Sequence, residues 1–194
     1  MKTSALAAAA FFAIVLHAAP ARADWYVSPF VGATLANSAG LSEQSRRLNV
    51  GGDVAVLGRS GVGAELDVGY VSKFFGDTSP FGGNSVLDVM ANLVVHAAVG
   101  SRLRPYAIAG AGLLRAELTS TYTDLTRRVV TTDSRYNYLA VDFGGGVIVS
   151  LSRRFGVRGD VRHIHALHES IGVADAPDLP EYHFWRASAG IVIR

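Results

Sequence analysis

Hydrophobic and polar positions alternate with a period of two along most of the chain after residue 24. This period is typical of a β-strand with two unlike faces. In residues 155–167, FGVRGDVRHIHAL, one face carries Arg158, Asp160 and Arg162, while the other face is largely apolar. The alternation predicts eight strands, at residues 25–36, 48–57, 61–73, 85–98, 105–118, 136–149, 155–167 and 182–193.

The connections between these segments alternate in length. Short connections follow the second, fourth and sixth segments, and long polar connections follow the first, third, fifth and seventh. The fifth connection, residues 119–135, is rich in Thr, Arg and Asp and is expected to be a loop that could bind a surface partner. We predict an all-β fold, an eight-stranded antiparallel up-and-down transmembrane β-barrel with short periplasmic turns and long extracellular loops.

The polar row is expected to face the inside of the barrel. Its ionised residues are Asp, Glu and Arg without lysine, and small residues separate them. An enclosed row favours arginine, because its planar fork satisfies several carboxylates at once. The predicted lumen charge network comprises Asp53, Glu65, Asp67, Asp88, Arg115, Glu117, Asp142, Arg158, Asp160, Arg162 and Arg186.

The apolar row is expected to face lipid. It carries no ionised side chain across the middle of the segments, as a hydrocarbon environment requires. Aromatic residues gather near the segment ends, which is typical of the two interfacial girdles of a membrane barrel. We assign Trp25, Tyr26, Tyr106 and Phe155 to the short-turn end, and note that Tyr26 is out of phase with the lipid-facing row.

Residues 1–23 are predicted to be a cleaved signal peptide. Lys2 precedes an apolar run, and Ala21-Arg22-Ala23 fits a small-x-small cleavage site. The barrel domain is then residues 24–194. Loss of Lys2 and Arg22 leaves 16 basic and 16 acidic residues, so the formal charge is zero and gives no reason to expect nucleic acid as a partner. The chain has no cysteine, so backbone pairing must hold it together.

Three stretches resemble a known family. They are LRPYAIAGAGLLR at residues 103–115, VDFGGGVIVSLSRRFGVRGDVRHI at 141–164 and FWRASAGIVIR at 184–194. In this order they resemble the small outer-membrane β-barrels of the OmpA transmembrane-domain, OmpX and opacity-protein type. The resemblance implies a place in the cell outer membrane, contact with outer-membrane lipid and lipopolysaccharide, and insertion by the barrel-assembly machinery. A monomer without a cofactor is expected.

Four histidines near the long-loop end are candidates for chemistry: His163, His165, His168 and His183. Lipid A deacylases among the small barrels carry a His and a Ser two residues apart, but position 165 is His here. Clustered imidazoles also suit a metal, yet the i, i+2 spacing occurs at one place only. We therefore expect these rim histidines to lie at the headgroup level, and we assign no catalytic or metal-binding residue.

The leading hypothesis is a non-enzymatic outer-membrane barrel that contributes to envelope integrity, surface interaction or limited permeability. Eight strands leave little room in the lumen, so a general porin is not expected. The alternatives are a lipid-A-modifying hydrolase at the rim histidines and a soluble periplasmic barrel that binds a ligand.

Overall fold

The computed structural model describes residues 24–37, 47–74, 81–123, 129–170 and 183–194, without the side chains of 36–37, 81–83, 118–134 and 168–170. The predicted signal peptide, residues 1–23, lies outside these ranges and stays a prediction. The described residues form eight strands: β1 (Asp24–Asn37), β2 (Arg47–Leu57), β3 (Val62–Ser72), β4 (Phe81–His96), β5 (Leu103–Thr123), β6 (Val129–Ser150), β7 (Phe155–Ser170) and β8 (His183–Ile193). Across the described ranges there is no helix long and apolar enough to cross a membrane.

The strands close into a barrel. Each strand pairs antiparallel with the next, and β8 pairs with β1. The closing ladder sets Val31 opposite Ala189 and Val27 opposite Ile193. Closure gives every strand two neighbours, so the backbone of the spanning part finds its hydrogen-bond partners within the sheet. The predicted eight-stranded antiparallel barrel is confirmed.

Tight turns join β2 to β3, β4 to β5 and β6 to β7, as predicted. Gly61 and Gly100 adopt φ of 84° and 64°, a left-handed conformation that glycine adopts without the strain of a Cβ. These turns lie at one end of the barrel, together with the start of β1 and the end of β8. We call it the short-turn end, and the opposite end the long-loop end.

The predicted loop at residues 119–135 is wrong in its main part. The β5–β6 ladder continues through Thr119 opposite Asp133 to Thr123 opposite Val129. The reason is the run of Thr, Val and Tyr in this stretch, since β-branched and aromatic residues favour extended backbone. The β6–β7 ladder begins only at Tyr138 opposite Ser170, so the β5–β6 hairpin projects beyond its neighbour.

The apolar rows face outward and the charged rows face inward. Leu66 and Ile191 expose 39% and 56% of their surface, whereas Asp67 and Arg186 expose 0%. A soluble fold has the opposite arrangement, and an outward apolar face is what lipid requires.

The interior is layered along the barrel axis. An apolar layer at the long-loop end contains Val71, Phe74, Val86, Met90, Leu114, Ala116, Tyr138, Ala140, Ile164, Ala166 and Phe184. A second apolar layer at the short-turn end contains Tyr26, Ala55, Leu57, Val94, Tyr106, Ile108, Ile148 and Val192. The buried charges lie mainly between them. These two apolar layers were not predicted from the sequence.

Candidate functional site

The charged layer of the lumen consists of two walls on different sides of the barrel. Strands β2, β3 and β4 supply carboxylates, and strands β7 and β8 supply the arginines. In each of these strands successive residues point alternately inward and outward, and the charges occupy inward positions, which brings them together inside. The acidic wall comprises Asp53, Glu65, Asp67 and Asp88, and the arginine wall comprises Arg158, Arg162 and Arg186.

Like charges are neighbours within each wall. Asp53 lies opposite Asp67 in the β2–β3 ladder, and Arg162 lies opposite Arg186 in the β7–β8 ladder. Like charges in directly opposed positions repel one another. Each wall is therefore stabilised mainly by the other wall, across the lumen, and the arginine wall also by Asp160 on its own strand β7.

Arg158 contacts both sides of the lumen near the short-turn end. Its Nη1 lies 2.7 Å from Asp53 Oδ1 and 2.6 Å from Glu65 Oε2. Its Nε donates to Asp160 Oδ2 at 2.9 Å. The guanidinium carbon lies 4.8 Å from the centre of the Tyr106 ring, a distance that favours a cation–π contact.

Arg162 lies further along β7 and joins several carboxylates. Its Nη2 is 2.9 Å from Glu65 Oε1 and 3.3 Å from Asp160 Oδ2. Its Nη1 is 3.4 Å from Asp67 Oδ2. Glu65 thus binds two arginines, and it also accepts a hydrogen bond from Asn92 at 3.2 Å.

Arg186 forms the third connection, nearer the long-loop end. Its Nη2 lies 2.6 Å from Asp67 Oδ1 and its Nη1 lies 3.1 Å from Asp88 Oδ2. Gly69 leaves the space for this pair, because a Cβ there would collide with Arg186 Nη1 and the Asp88 carboxylate. The Phe30 ring lies 4.8 Å from the guanidinium carbon.

Tyr26 and Tyr106 belong to this network. Tyr106 accepts a hydrogen bond from Arg158 Nε at 2.6 Å and donates one to Asp160 Oδ2 at 2.8 Å. Tyr26 accepts one from Arg158 Nη1 at 3.0 Å. The assignment of Tyr106 to the outer aromatic girdle is therefore wrong. For Tyr26 the sequence did indicate an inward position, because this residue is out of phase with the lipid-facing row of its strand.

The prediction that Arg115 and Glu117 face the lumen is wrong. On β5 the inward residues are Ile108, Leu114 and their even-numbered neighbours, so both charges lie on the outer face. They lie towards the long-loop end, past the apolar part of the strand, where charge is tolerated. There Arg115 Nε donates to Asn137 Oδ1 at 3.0 Å, and Glu117 Oε1 lies 3.2 Å from Arg135 Nε.

The remaining predicted charges, Asp142 and Asp160, lie inside and are almost fully buried. Asp142 is the least well paired, since its one ion pair with a described residue is a 3.8 Å approach to Arg162. Neither of its oxygens accepts a hydrogen bond from a described residue. In the described part of the chain, no group of three or more candidate ligands is placed to hold a metal ion.

The structure brings three of the four rim histidines together on the outer face. His165 lies opposite His183 in the β7–β8 ladder, and the ring centres are 6.1 Å apart. His163 packs edge-on against Trp185 at 4.9 Å and lies 5.0 Å from Phe143. These are contacts of an aromatic patch. The side chain of His168 lies outside the described residues.

Comparisons with known proteins point to one architecture. No curated protein sequence matches the chain. Neisserial surface protein A is 14% identical, with 89% of this chain and 98% of that chain covered and a TM-score of 0.66. A major outer membrane protein of Thermus thermophilus is 14% identical, with 88% of this chain and 100% of that chain covered and a TM-score of 0.54. The attachment invasion locus protein Ail of Yersinia pestis, solved with the heparin analogue sucrose octasulfate, is 11% identical, with 89% of this chain and 99% of that chain covered and a TM-score of 0.51. At these identities the likeness shows a shared fold.

The family comparison covers nearly the whole chain. Residues 4–191 match the outer membrane protein beta-barrel domain. The closed barrel, its apolar exterior and its enclosed charges agree with this match. The chain belongs to the outer membrane protein beta-barrel domain family and is a protein of the bacterial outer membrane.

Proposed function

We propose that this chain is a non-enzymatic, monomeric barrel that contributes to the integrity of the outer membrane and does not conduct solutes through its lumen. It would be inserted by the barrel-assembly machinery, with its short turns in the periplasm. The observation that carries the proposal is the layered interior, in which buried ion pairs lie between two apolar layers.

A solute path would have to break both kinds of layer. The arginine–carboxylate contacts cross the lumen, and Arg158, Arg162 and Arg186 are each at most 4% exposed. In the apolar layer at the long-loop end, Phe74 and Phe184 pack edge to face with ring centres 5.3 Å apart. An apolar constriction excludes ions because it offers no replacement for their hydration shell. This arrangement supports a closed barrel rather than a pore.

The contacts of the rim histidines support a non-enzymatic role. A catalytic imidazole needs a nucleophile to activate and a group that orients its other nitrogen. Among the described residues, His163 Nδ1 has no hydrogen-bond partner, and its ring contacts Phe143 and Trp185. An aromatic patch of this kind is expected at a lipid–water interface.

The test is conductance. The purified, refolded chain is added to planar lipid bilayers, with a general porin as the positive control. We expect no stable conductance steps, and reproducible steps would refute the closed lumen. In cells, a strain that lacks the chain should take up a hydrophobic dye faster than its parent. Re-expression of the chain should restore the barrier, and an unchanged uptake rate would refute the role in envelope integrity.

The projecting β5–β6 hairpin favours surface interaction as a second candidate function. Among the described strands, residues 129–137 of β6 have a ladder partner on the β5 side only. A strand edge of this kind can add an extended peptide from a partner. Replacing residues 119–133 by Asn-Gly joins the cross-strand pair Leu118 and Ser134 through a two-residue turn. Cells that display the shortened chain should attach less well to a surface that binds cells with the full hairpin, at equal barrel content.

A further inference from the structure

The charges of the barrel are segregated along its axis, although residues 24–194 are neutral in sum. Among the described residues, the buried charges of the lumen are three arginines and six carboxylates. The short-turn end has the opposite excess, because Asp24 is the only acidic residue that the described part of the chain places there. Its six arginines are Arg59, Arg102, Arg104, Arg153, Arg154 and Arg194.

Four of these arginines form one contiguous group, which we call the basic cluster: Arg102, Arg153, Arg154 and Arg194. Ser150 connects Arg102 to Arg194, since its backbone N–H donates to Arg102 O at 2.8 Å and its hydroxyl accepts from Arg194 Nη2 at 3.0 Å. The backbone N–H of Arg194 donates to Arg154 O at 3.0 Å.

The turn that carries Arg153 and Arg154 is held by its own hydrogen bonds. Ser152 Oγ accepts from the backbone N–H groups of Arg154 and Phe155, at 3.3 and 3.0 Å. Leu151 N–H donates to Phe155 O at 3.0 Å. The backbone on which the two guanidinium groups are carried is therefore fixed.

The basic cluster has no acidic partner among the described residues. Within the same ranges, no carboxylate forms an ion pair with Arg59 either. Arg104 is different, since it lies 3.2 Å from Asp24. At the long-loop end, Arg115 and Arg135 have side-chain partners in Asn137 and Glu117. Among the described residues, the basic cluster is thus a group of adjacent arginines that no carboxylate neutralises, whereas Arg135 at the long-loop end pairs with Glu117.

Large apolar side chains are exposed at the same end of the barrel, and two of them, Leu151 and Phe155, flank Arg153 and Arg154 in the chain. Trp25, Val99, Leu151 and Phe155 expose 60%, 53%, 64% and 52% of their surface. Peptidoglycan, the other anionic material that a periplasmic surface could bind, is a polymer of sugars and peptides and offers no apolar surface for such side chains. A bilayer offers both parts, because phosphates lie directly above the acyl chains.

We propose that the basic cluster, with the apolar side chains around it, is a binding surface for anionic phospholipid. The planar guanidinium fork matches the phosphate geometry, and four adjacent forks favour a lipid with net negative charge over a zwitterionic one. Leu151 and Phe155 insert beside the acyl chains of the same lipid. In the proposed orientation, this surface lies at the periplasmic leaflet.

The two tryptophans provide the measurement, because the chain has only Trp25 and Trp185 and they lie at opposite ends. Trp185→Phe leaves Trp25 as the sole reporter, and Trp25→Phe leaves Trp185. Each variant is reconstituted in phosphatidylcholine vesicles with a minor fraction of brominated phosphatidylglycerol or brominated phosphatidylcholine. Bromine quenches tryptophan on contact, so the ratio of quenching by the two lipids reports local enrichment independently of the orientation of the barrel.

We expect brominated phosphatidylglycerol to quench Trp25 more than brominated phosphatidylcholine does, and both lipids to quench Trp185 equally. Arg153→Gln with Arg154→Gln should lower the preference of Trp25, by up to about fivefold per arginine. The control variant, Arg115→Gln with Arg135→Gln, removes the same amount of charge at the long-loop end and should leave the lipid preference of Trp25 unchanged. Folding of each variant is checked by heat-modifiable migration.

Equal quenching of Trp25 by the two lipids would overturn the proposal. A preference of Trp25 for brominated phosphatidylglycerol that persists in the Arg153→Gln, Arg154→Gln variant would also overturn the proposal. Purified peptidoglycan sacculi are tested in parallel by co-sedimentation. Arginine-dependent sedimentation without a lipid preference would assign the surface to peptidoglycan instead. Neither result bears on conductance, so the closed lumen is tested separately.

Discussion

Nη1 of Arg158 lies 2.6 Å from Oε2 of Glu65, although β7 and β3 share no ladder and the contact crosses the lumen. Glu65 also binds Arg162, so one carboxylate joins two arginines of the opposite wall. The enclosed charges therefore act as cross-links between strands that the backbone ladder does not connect.

Removal of Glu65 should destabilise the barrel strongly. Glu65→Ala leaves Arg158 and Arg162 with fewer counter-charges in a buried site, and breaking a buried ion pair from one side costs about 3–5 kcal/mol. Glu117→Ala is the matched control, because its ion pair with Arg135 is on the exposed outer face and should contribute at most about 1 kcal/mol. Urea unfolding in detergent, followed by heat-modifiable migration, measures both. Equal losses would mean that the lumen network contributes little to stability.

Gly69 should not tolerate a methyl group. Gly69→Ala places a Cβ against Arg186 and Asp88, and overpacking of this kind costs about 1–3 kcal/mol. Gly159→Ala is the control, since the nearest atom to its added Cβ is Ser188 O at 3.9 Å. The same unfolding assay compares the two variants. A stable Gly69→Ala barrel would show that the Arg186–Asp88 pair can move without loss.

The outer face of β5 should show where the hydrocarbon region ends. Ala109 is exposed on this face, six residues before Arg115 in the direction of the short-turn end. Ala109→Arg should cost about 2–4 kcal/mol, because it places a cation at membrane depth. Arg115→Leu should be nearly neutral. Unfolding from lipid vesicles measures both, and equal stability of Ala109→Arg and the wild type would place lipid elsewhere.

Membranes that contain the chain should keep their lipid A acyl chains. His163 and His165 contact aromatic rings on the outer face, and position 165 is not the serine of the deacylases. Mass spectrometry of lipid A from cells with and without the chain gives the test. Loss of an acyl chain that His165→Ala abolishes would establish the hydrolase alternative.

Sequence patterns predicted the face of a strand where charge and apolar residues separate cleanly. On β7, Arg158 and Arg162 mark the inner face in the middle of the strand, and the prediction of their place was correct. On β5 both rows are largely small or apolar, and the charges used to assign its faces, Arg115 and Glu117, lie beyond the lipid boundary. Charge past that boundary carries no information about the face, so the phase of β5 and the place of Tyr106 were predicted wrongly.

Composition also concealed the electrostatics. Zero formal charge gave no reason to expect an anionic partner, but charge summed over a chain says nothing about its distribution along a barrel axis. Arg102, the pair Arg153 and Arg154, and Arg194 are separated in sequence by whole strands, and the pairing of β5, β6, β7 and β8 brings them together at one end. The apolar layers of the lumen were not predicted for a similar reason, because no single strand contains a complete layer.

The division of the lumen into an acidic wall and an arginine wall has a consequence for the order of synthesis. The acidic wall on β2–β4 leaves the ribosome long before the arginines of β7 and β8. An incomplete chain that stops after β6 would present Asp53, Glu65, Asp67 and Asp88 without their counter-ions and could not enter a bilayer at low cost. The last two strands, β7 and β8, supply the arginines that neutralise these carboxylates, and β8 also closes the barrel on β1. Only the full-length chain can therefore enter a bilayer without unpaired charges in its lumen.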